Sequence, residues 1–148
     1  MAADVTQASN EAQIRGLIDA WATAFRAKDV DGLMANHSSN IVLFDLPTPL
    51  QYRGADAYRK NWEQWFPTLE GPVGCEMREL SVTAGDDVAF SHCLNRISSK
   101  KIDGEAFDVW VRVTVGFRKI DGAWTVTHEH VSVPFYMDTN KAACDLEP

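Results

Sequence analysis

Asp45 stands where a carboxylate can do chemistry, at the end of the apolar run Ile41-Val42-Leu43-Phe44 and before Pro47-Thr48-Pro49. On residue pattern alone it reads as a cap on a turn. Desolvated in an apolar cavity, the same group would have a raised pKa and suit proton abstraction. His128 and His130, two apart on a strand, are the other conspicuous pair. They have no third ligand at a recognisable spacing and do not form the helical HExxH motif, so no metal is expected. A hydrogen-bonded cluster with Arg112, Thr114 and Ser132 is the simpler reading, either at a dimer interface or lining a pocket. Cys75, Cys93 and Cys144 include no CxxC pair and read as reduced thiols. Cys93 reads as a small buried residue. Tyr58, Trp62, Trp65 and Phe66 form an aromatic stripe at helical spacing, a pattern more often core than ligand box.

Three helical segments and then strands position these residues. Residues 1–9 read as a frayed tail. From Asn10 the positions Ile14, Leu17, Ile18, Trp21 and Phe25 recur at helical period, predicting a helix that ends near Lys28. Asp29 can cap a short second helix carrying Leu33 and Met34. Ile41 to Phe44 reads as a buried strand, broken by the prolines. Arg53-Gly54 precedes the third helix, which carries the aromatic stripe and ends at Pro67 and Gly71-Pro72. The period then changes to two over Glu76–Thr83, Val88–Ile97, Phe107–Arg118 and Trp124–Val133, four strands in succession. Residues 136–148 read as a loose tail. The expectation is a single α+β domain over 1–148 with its core at about 10–134: a cone-shaped, curved antiparallel sheet with three N-terminal helices enclosing an apolar pocket.

The last hairpin has two unlike faces. A three-residue loop, Ile120-Asp121-Gly122, pairs Lys119 with Ala123 and separates odd from even positions. The even face carries Trp110, Arg112, Thr114, Trp124, His128, His130 and Ser132. The odd face carries Val109, Val111, Val113, Val115, Phe117, Glu129, Val131 and Val133. A two-residue Asp-Gly loop would shift the register by one and mix the sets, so the three-residue loop is preferred. Pattern alone does not say which face meets the helices.

The chain has 148 residues, 45% of them hydrophobic and 24% charged, enough for one globular core. A net charge of −7 excludes a typical nucleic-acid surface, which needs clustered Lys and Arg. There is no secretory signal at the start and no apolar run of transmembrane length, so a cytoplasmic protein with no membrane partner is expected.

The run Trp21-Ala-Thr-Ala-Phe-Arg-Ala-Lys-Asp-Val-Asp-Gly-Leu33, then Phe44-Asp45, then Arg53-Gly-Ala-Asp-Ala-Tyr-Arg59, resembles the nuclear transport factor 2-like superfamily. That group includes ketosteroid isomerases, SnoaL-type polyketide cyclases and the association domain of calcium/calmodulin-dependent kinase II. The ending Asp121-Gly-Ala-Trp124-Thr-Val-Thr-His128-Glu-His130-Val-Ser132 resembles the SnoaL-like branch in particular. The resemblance runs from about Asn10 to Pro134 and implies the cone fold, although this fold hosts many reactions.

It also implies roles. The isomerase's catalytic base falls on Asp45. Its tyrosine proton donor falls on Trp21, whose indole donates a hydrogen bond but does not titrate. Its protonated Asp falls at or near Val115. Positions matching Asn95, Val115 and Val131 face the cavity in relatives, which implies that the odd face lines the pocket and the polar even face is outside, where such domains often pair as homodimers. Trp21, Phe25, Tyr58, Trp62 and Phe66 would then bind a flat or hydrophobic ligand. Glu129, alone among valines on that face, would be either at the pocket mouth in water or a second carboxylate facing Asp45. The resemblance thus implies a cofactor-independent isomerase, cyclase or dehydratase acting on an apolar small molecule with Asp45 as general base. A non-catalytic ligand-binding or oligomerisation module is the alternative, with Arg112, His128 and His130 as its polar cluster.

Overall fold

The computed structural model describes residues 2–148. Helix α1 spans Ala2–Arg26. The segment expected to fray is therefore helical, but residues 4–9 are exposed and the helix first becomes buried at Asn10. Asn10 anchors it: Nδ2 donates to the Gly85 carbonyl at 3.1 Å, while Oδ1 accepts from Lys119 Nζ at 3.0 Å and Trp124 Nε1 at 3.3 Å. The chain reverses at Lys28, which takes a left-handed φ of 56°. Asp29 then caps α2, Val30–Met34, its side chain accepting from Gly32 N at 3.1 Å.

Strand β1, His37–Phe44, begins four residues earlier than the apolar run. A two-residue strand β2, Tyr52–Arg53, leads into α3, Ala55–Trp65, closed by a 3₁₀ turn at Phe66–Thr68. The remaining strands are β3, Leu69–Ala84, β4, Val88–Lys101, β5, Ala106–Ile120, and β6, Ala123–Ser132. Among the described residues these form one six-stranded curved sheet in the order β2-β1-β6-β5-β4-β3. All neighbours are antiparallel except β1 and β6, which run parallel. This is the α+β cone expected.

Gly71-Pro72 does not precede β3 as expected but lies inside it. β3 is an edge strand and its register shifts between Glu70 and Gly74, so the missing proline amide falls in an irregularity. A second bulge lies between Arg78 and Ser81, where Glu79 has φ 56°. Such bulges bend the strand and curve the sheet around the helices.

The last hairpin differs from the expected register. Ile120 pairs with Ala123, so the loop is the two-residue Asp121-Gly122, with φ of 51° and 81°. Trp124 therefore faces inward with Phe117 and Val126, and all three are buried; the expected exposed, even-face position of Trp124 is corrected. The register then shifts, Phe117 pairing with Val126 and Gly116 with His128, which leaves Thr127 as the extra residue. Beyond it Val115 pairs with Glu129 and Thr114 with His130. The bulge thus restores the separation of aliphatic from polar side chains that a two-residue loop alone would have lost.

Residues 134–145 are tied back instead of trailing. Phe135 bridges Ala142, Ala143 N donates to the Pro134 carbonyl at 2.8 Å, Tyr136 OH donates to Asp145 at 2.6 Å, and Ala143 is buried. No helix among the described residues is long and apolar enough to cross a membrane.

Candidate functional site

The inward face of the sheet, α1 and α3 enclose a cavity of about 840 Å³, a size suited to a small-molecule ligand. Its walls are aromatic on the helix side, with Trp21 and Phe25 from α1 and Tyr58, Trp62 and Trp65 from α3. Opposite them stand Asn95 of β4, Val111 and Val113 of β5, and Glu129 and Val131 of β6. The aromatic rings support one another: Phe25 stacks on Trp21 at 5.1 Å and meets Trp62 edge-on at 5.6 Å. Leu46, Pro47 and Cys144 belong to the same wall, so the loop after β1 and the C-terminal segment both border the cavity.

Asp45 lines this cavity just past the end of β1. Its Oδ1 accepts from Leu46 N at 2.8 Å and its Oδ2 from Asn61 Nδ2 at 3.3 Å. Burial raises its pKa above the ordinary aspartate value, the Leu46 amide opposes that, and the negative charge of Glu129 adds to it. A carboxylate of this kind is a stronger base than one in water and can accept a proton from carbon or oxygen.

Glu129 is more deeply enclosed, with its side chain 8% exposed. Oε1 lies 2.8 Å from His37 Nε2 and Oε2 accepts from Tyr58 OH at 2.9 Å. Burial, then Glu129, pushes the Tyr58 pKa well above its usual value, so the phenol remains a donor. Next to the main cavity and sharing Trp21, Asn95 and Val113 with it is a smaller inner pocket of about 50 Å³, lined also by His37, Ser91, Cys93 and Val115.

Of the residues singled out in the sequence, Asp45, Trp21, Phe25, Tyr58, Trp62, Asn95, Glu129 and Val131 lie together around the main cavity. Val115 lies in the inner pocket instead. Phe66 lines neither; it packs behind the wall on Trp62 at 5.2 Å and on Phe25 at 6.1 Å. Arg112, His128 and His130 are on the opposite face of the sheet. There Arg112 donates to Ser132 Oγ at 3.1 Å, His128 Nδ1 sits 2.6 Å from the Val42 carbonyl, and Phe44 meets both histidine rings edge-on. No group of three or more metal-ligating side chains occurs among the described residues. The Cys93 thiol donates to Asn95 Oδ1 at 3.1 Å, and burial pushes its pKa up to about 11, so it is no ready nucleophile.

His37 and Asn61 were missed by the sequence reading. For His37 no local signal exists: the β1 register shifts between His37 and Val42 and Ser39 is exposed, so the alternation of Leu43 and Ile41 breaks before it reaches residue 37. The polar surroundings Asn36 to Asn40 conceal it further.

Residues 14–136 match the family model described as a SnoaL-like domain. No curated protein matches the chain. Among solved structures, an NTF2-like protein of unknown function from Pseudomonas putida KT2440 is 40% identical, with 95% of this chain and 98% of that one covered at a TM-score of 0.87. A ketosteroid isomerase-like protein from Erwinia carotovora atroseptica SCRI1043 superposes at 0.71, with 22% identity and coverage of 82% and 94%. A candidate scytalone dehydratase from Novosphingobium aromaticivorans DSM 12444 superposes at 0.80, with 12% identity and coverage of 97% and 99%. The last two likenesses are of fold alone. With the family model spanning most of the chain and a solved relative at this identity, the chain belongs to the SnoaL-like family of NTF2-like proteins.

Proposed function

We propose that the chain binds a neutral, apolar small molecule in the main cavity and transfers a proton at Asp45, as an isomerase, cyclase or dehydratase that needs no cofactor. The observation that carries this reading is the position of Asp45, a carboxyl with a raised pKa on the wall of a cavity otherwise made largely of aromatic and aliphatic side chains. An enolisable ketone fits the arrangement. Asp45 takes the α-proton, the C–H electron pair moves into the carbonyl, and the resulting enolate oxygen needs a donor. The Trp21 indole N–H, buried without a hydrogen-bond partner among the described residues, suits that task. Three carboxylate residues, Asp45, Asp108 and Glu129, line the cavity, and its lysine, Lys101, is 3.1 Å from Glu105, so an anionic ligand is disfavoured. Fold relatives described as isomerase-like and as a dehydratase make those the first chemistries to try.

The test is turnover of a panel of enolisable ketones and polyketide-like compounds by wild type and Asp45→Asn. A positioned general base contributes on the order of 10²–10⁴-fold, and a loss of that size is expected. A wild type as inert as the variant removes the enzyme reading.

A second reading, assembly as a homodimer through the outer sheet face, draws on the apolar surface there: Phe44 and Phe90 are 37% and 48% exposed. Sedimentation of wild type and Arg112→Ala tests it, and a monodisperse monomer counts against it.

A further inference from the structure

Between the two pockets lies a polar arrangement that proton transfer at Asp45 does not use, with His37 on the inner pocket and Glu129 and Tyr58 on the main cavity. His37, the first residue of β1, has a side chain only 3% exposed. Its Nε2 faces Glu129 Oε1 at 2.8 Å, and the other oxygen of that carboxylate is occupied by Tyr58 OH at 2.9 Å. The carboxylate thereby holds the imidazole by Nε2–H, which leaves Nδ1 as the nitrogen available for something else. Nδ1 is buried and has no hydrogen-bond partner among the described residues. A buried imidazole nitrogen left unpaired is costly and calls for an explanation.

The surroundings indicate what would satisfy it. His37 and Trp21 line the same pocket, and the Trp21 N–H is likewise unpartnered. With the ring's proton on Nε2 toward Glu129, one wall would offer Nδ1 as an acceptor and another the indole N–H as a donor. A hydroxyl or enol group, which donates one hydrogen bond and accepts another, matches both. The inner pocket adjoins the main cavity through Trp21, Asn95 and Val113, so a ligand whose rings lie among the aromatic side chains can extend a single oxygen group into it.

We propose that His37 Nδ1 is the polar anchor of the ligand, accepting a hydrogen bond from a hydroxyl or enol oxygen, with Glu129 and Tyr58 as positioning residues that hold its ring. The inference rests on the cavity being a ligand site and is independent of whether Asp45 is a base.

The experiment compares 2-naphthol with naphthalene, the same ring system without the hydroxyl, by tryptophan fluorescence titration and by nitrogen-15 spectra of histidine-labelled protein. One added hydrogen bond in a dry site is worth about tenfold in affinity, so 2-naphthol is expected to bind wild type about tenfold more tightly. It is also expected to move the His37 Nδ1 signal upfield, which naphthalene does not. His37→Gln keeps an amide N–H to reach Glu129 and has nothing at Nδ1, so in that variant the two compounds bind alike. Equal affinities in wild type, a preference unchanged in His37→Gln, or an Nδ1 signal unmoved by 2-naphthol overturns the proposal. If His37→Gln does not fold, the wild-type affinities and spectra decide. Failure of both compounds to bind removes the cavity reading and this inference together. A retained preference for 2-naphthol beside an inert Asp45 removes only the base.

Discussion

Asp45 and Glu129 are two carboxyls facing one cavity, and their neighbours treat them differently. Glu129 is held by a phenol and an imidazole, whereas Asp45 has a backbone amide at 2.8 Å and a longer contact to Asn61. Because burial raises the pKa of Asp45, the folded chain binds this proton more tightly than the unfolded chain does. Between the two pKa values stability therefore falls as pH rises. Asp45→Asn removes that cost, so the variant should melt above wild type at neutral pH, with the gain vanishing below the ordinary aspartate value of 3.8. Thermal melts across pH check this, and a gain that grows in acid would contradict it. Tyr58→Phe withdraws one donor from a buried carboxylate and should cost about 1–3 kcal/mol in denaturant titration. At this scale the sequence was partly readable. Asp45 and the aromatic stripe stood out because charge beside an apolar run and helical spacing are local signals. His37 did not, since its burial depends on β1 pairing in parallel with β6, a contact between residues 37 and 126 that no local pattern encodes.

Among the elements, α1 and α2 were legible through period and cap, down to Asp29 accepting from Gly32 N. That turn also shows why residue 32 is glycine: a Cβ there would lie 2.5 Å from Asp29 Oδ2 and 2.9 Å from Ala24 Cβ. Gly32→Ala should force α2 from α1 or disrupt the cap, at a cost of about 1–3 kcal/mol, measurable by chemical denaturation. The hairpin was less legible. A clean division of polar from aliphatic positions argued for a three-residue loop, whereas the chain uses the tighter Asp-Gly turn and corrects parity at Thr127. Alternation cannot distinguish a longer turn from a short turn followed by a bulge, because both preserve the face beyond the correction. The helical start at Ala2 was hidden for another reason: its exposed first turns carry no apolar stripe to read.

For the whole molecule, curvature makes the cavity. Bulges in β3 and β6 bend a long sheet around α1, and α3 closes the open side with aromatic rings. The cone was expected from the order of helices and strands together with the family resemblance, while the enclosed volume depends on register shifts visible only in three dimensions. A ligand that fills such a space and does not bind the unfolded chain must stabilise the fold. At a hundredfold excess over Kd, 2-naphthol should add about 2.7 kcal/mol to the unfolding free energy; an unchanged melt would mean that the cavity does not take it.

Exchange of the α-protons of 2-tetralone in deuterated water, followed by proton NMR, tests the central claim most directly because it reads proton abstraction whatever reaction follows. Wild type is expected to accelerate the exchange and Asp45→Asn to lose roughly a hundredfold or more of that acceleration. Equal exchange rates for the two proteins would contradict Asp45 as the base.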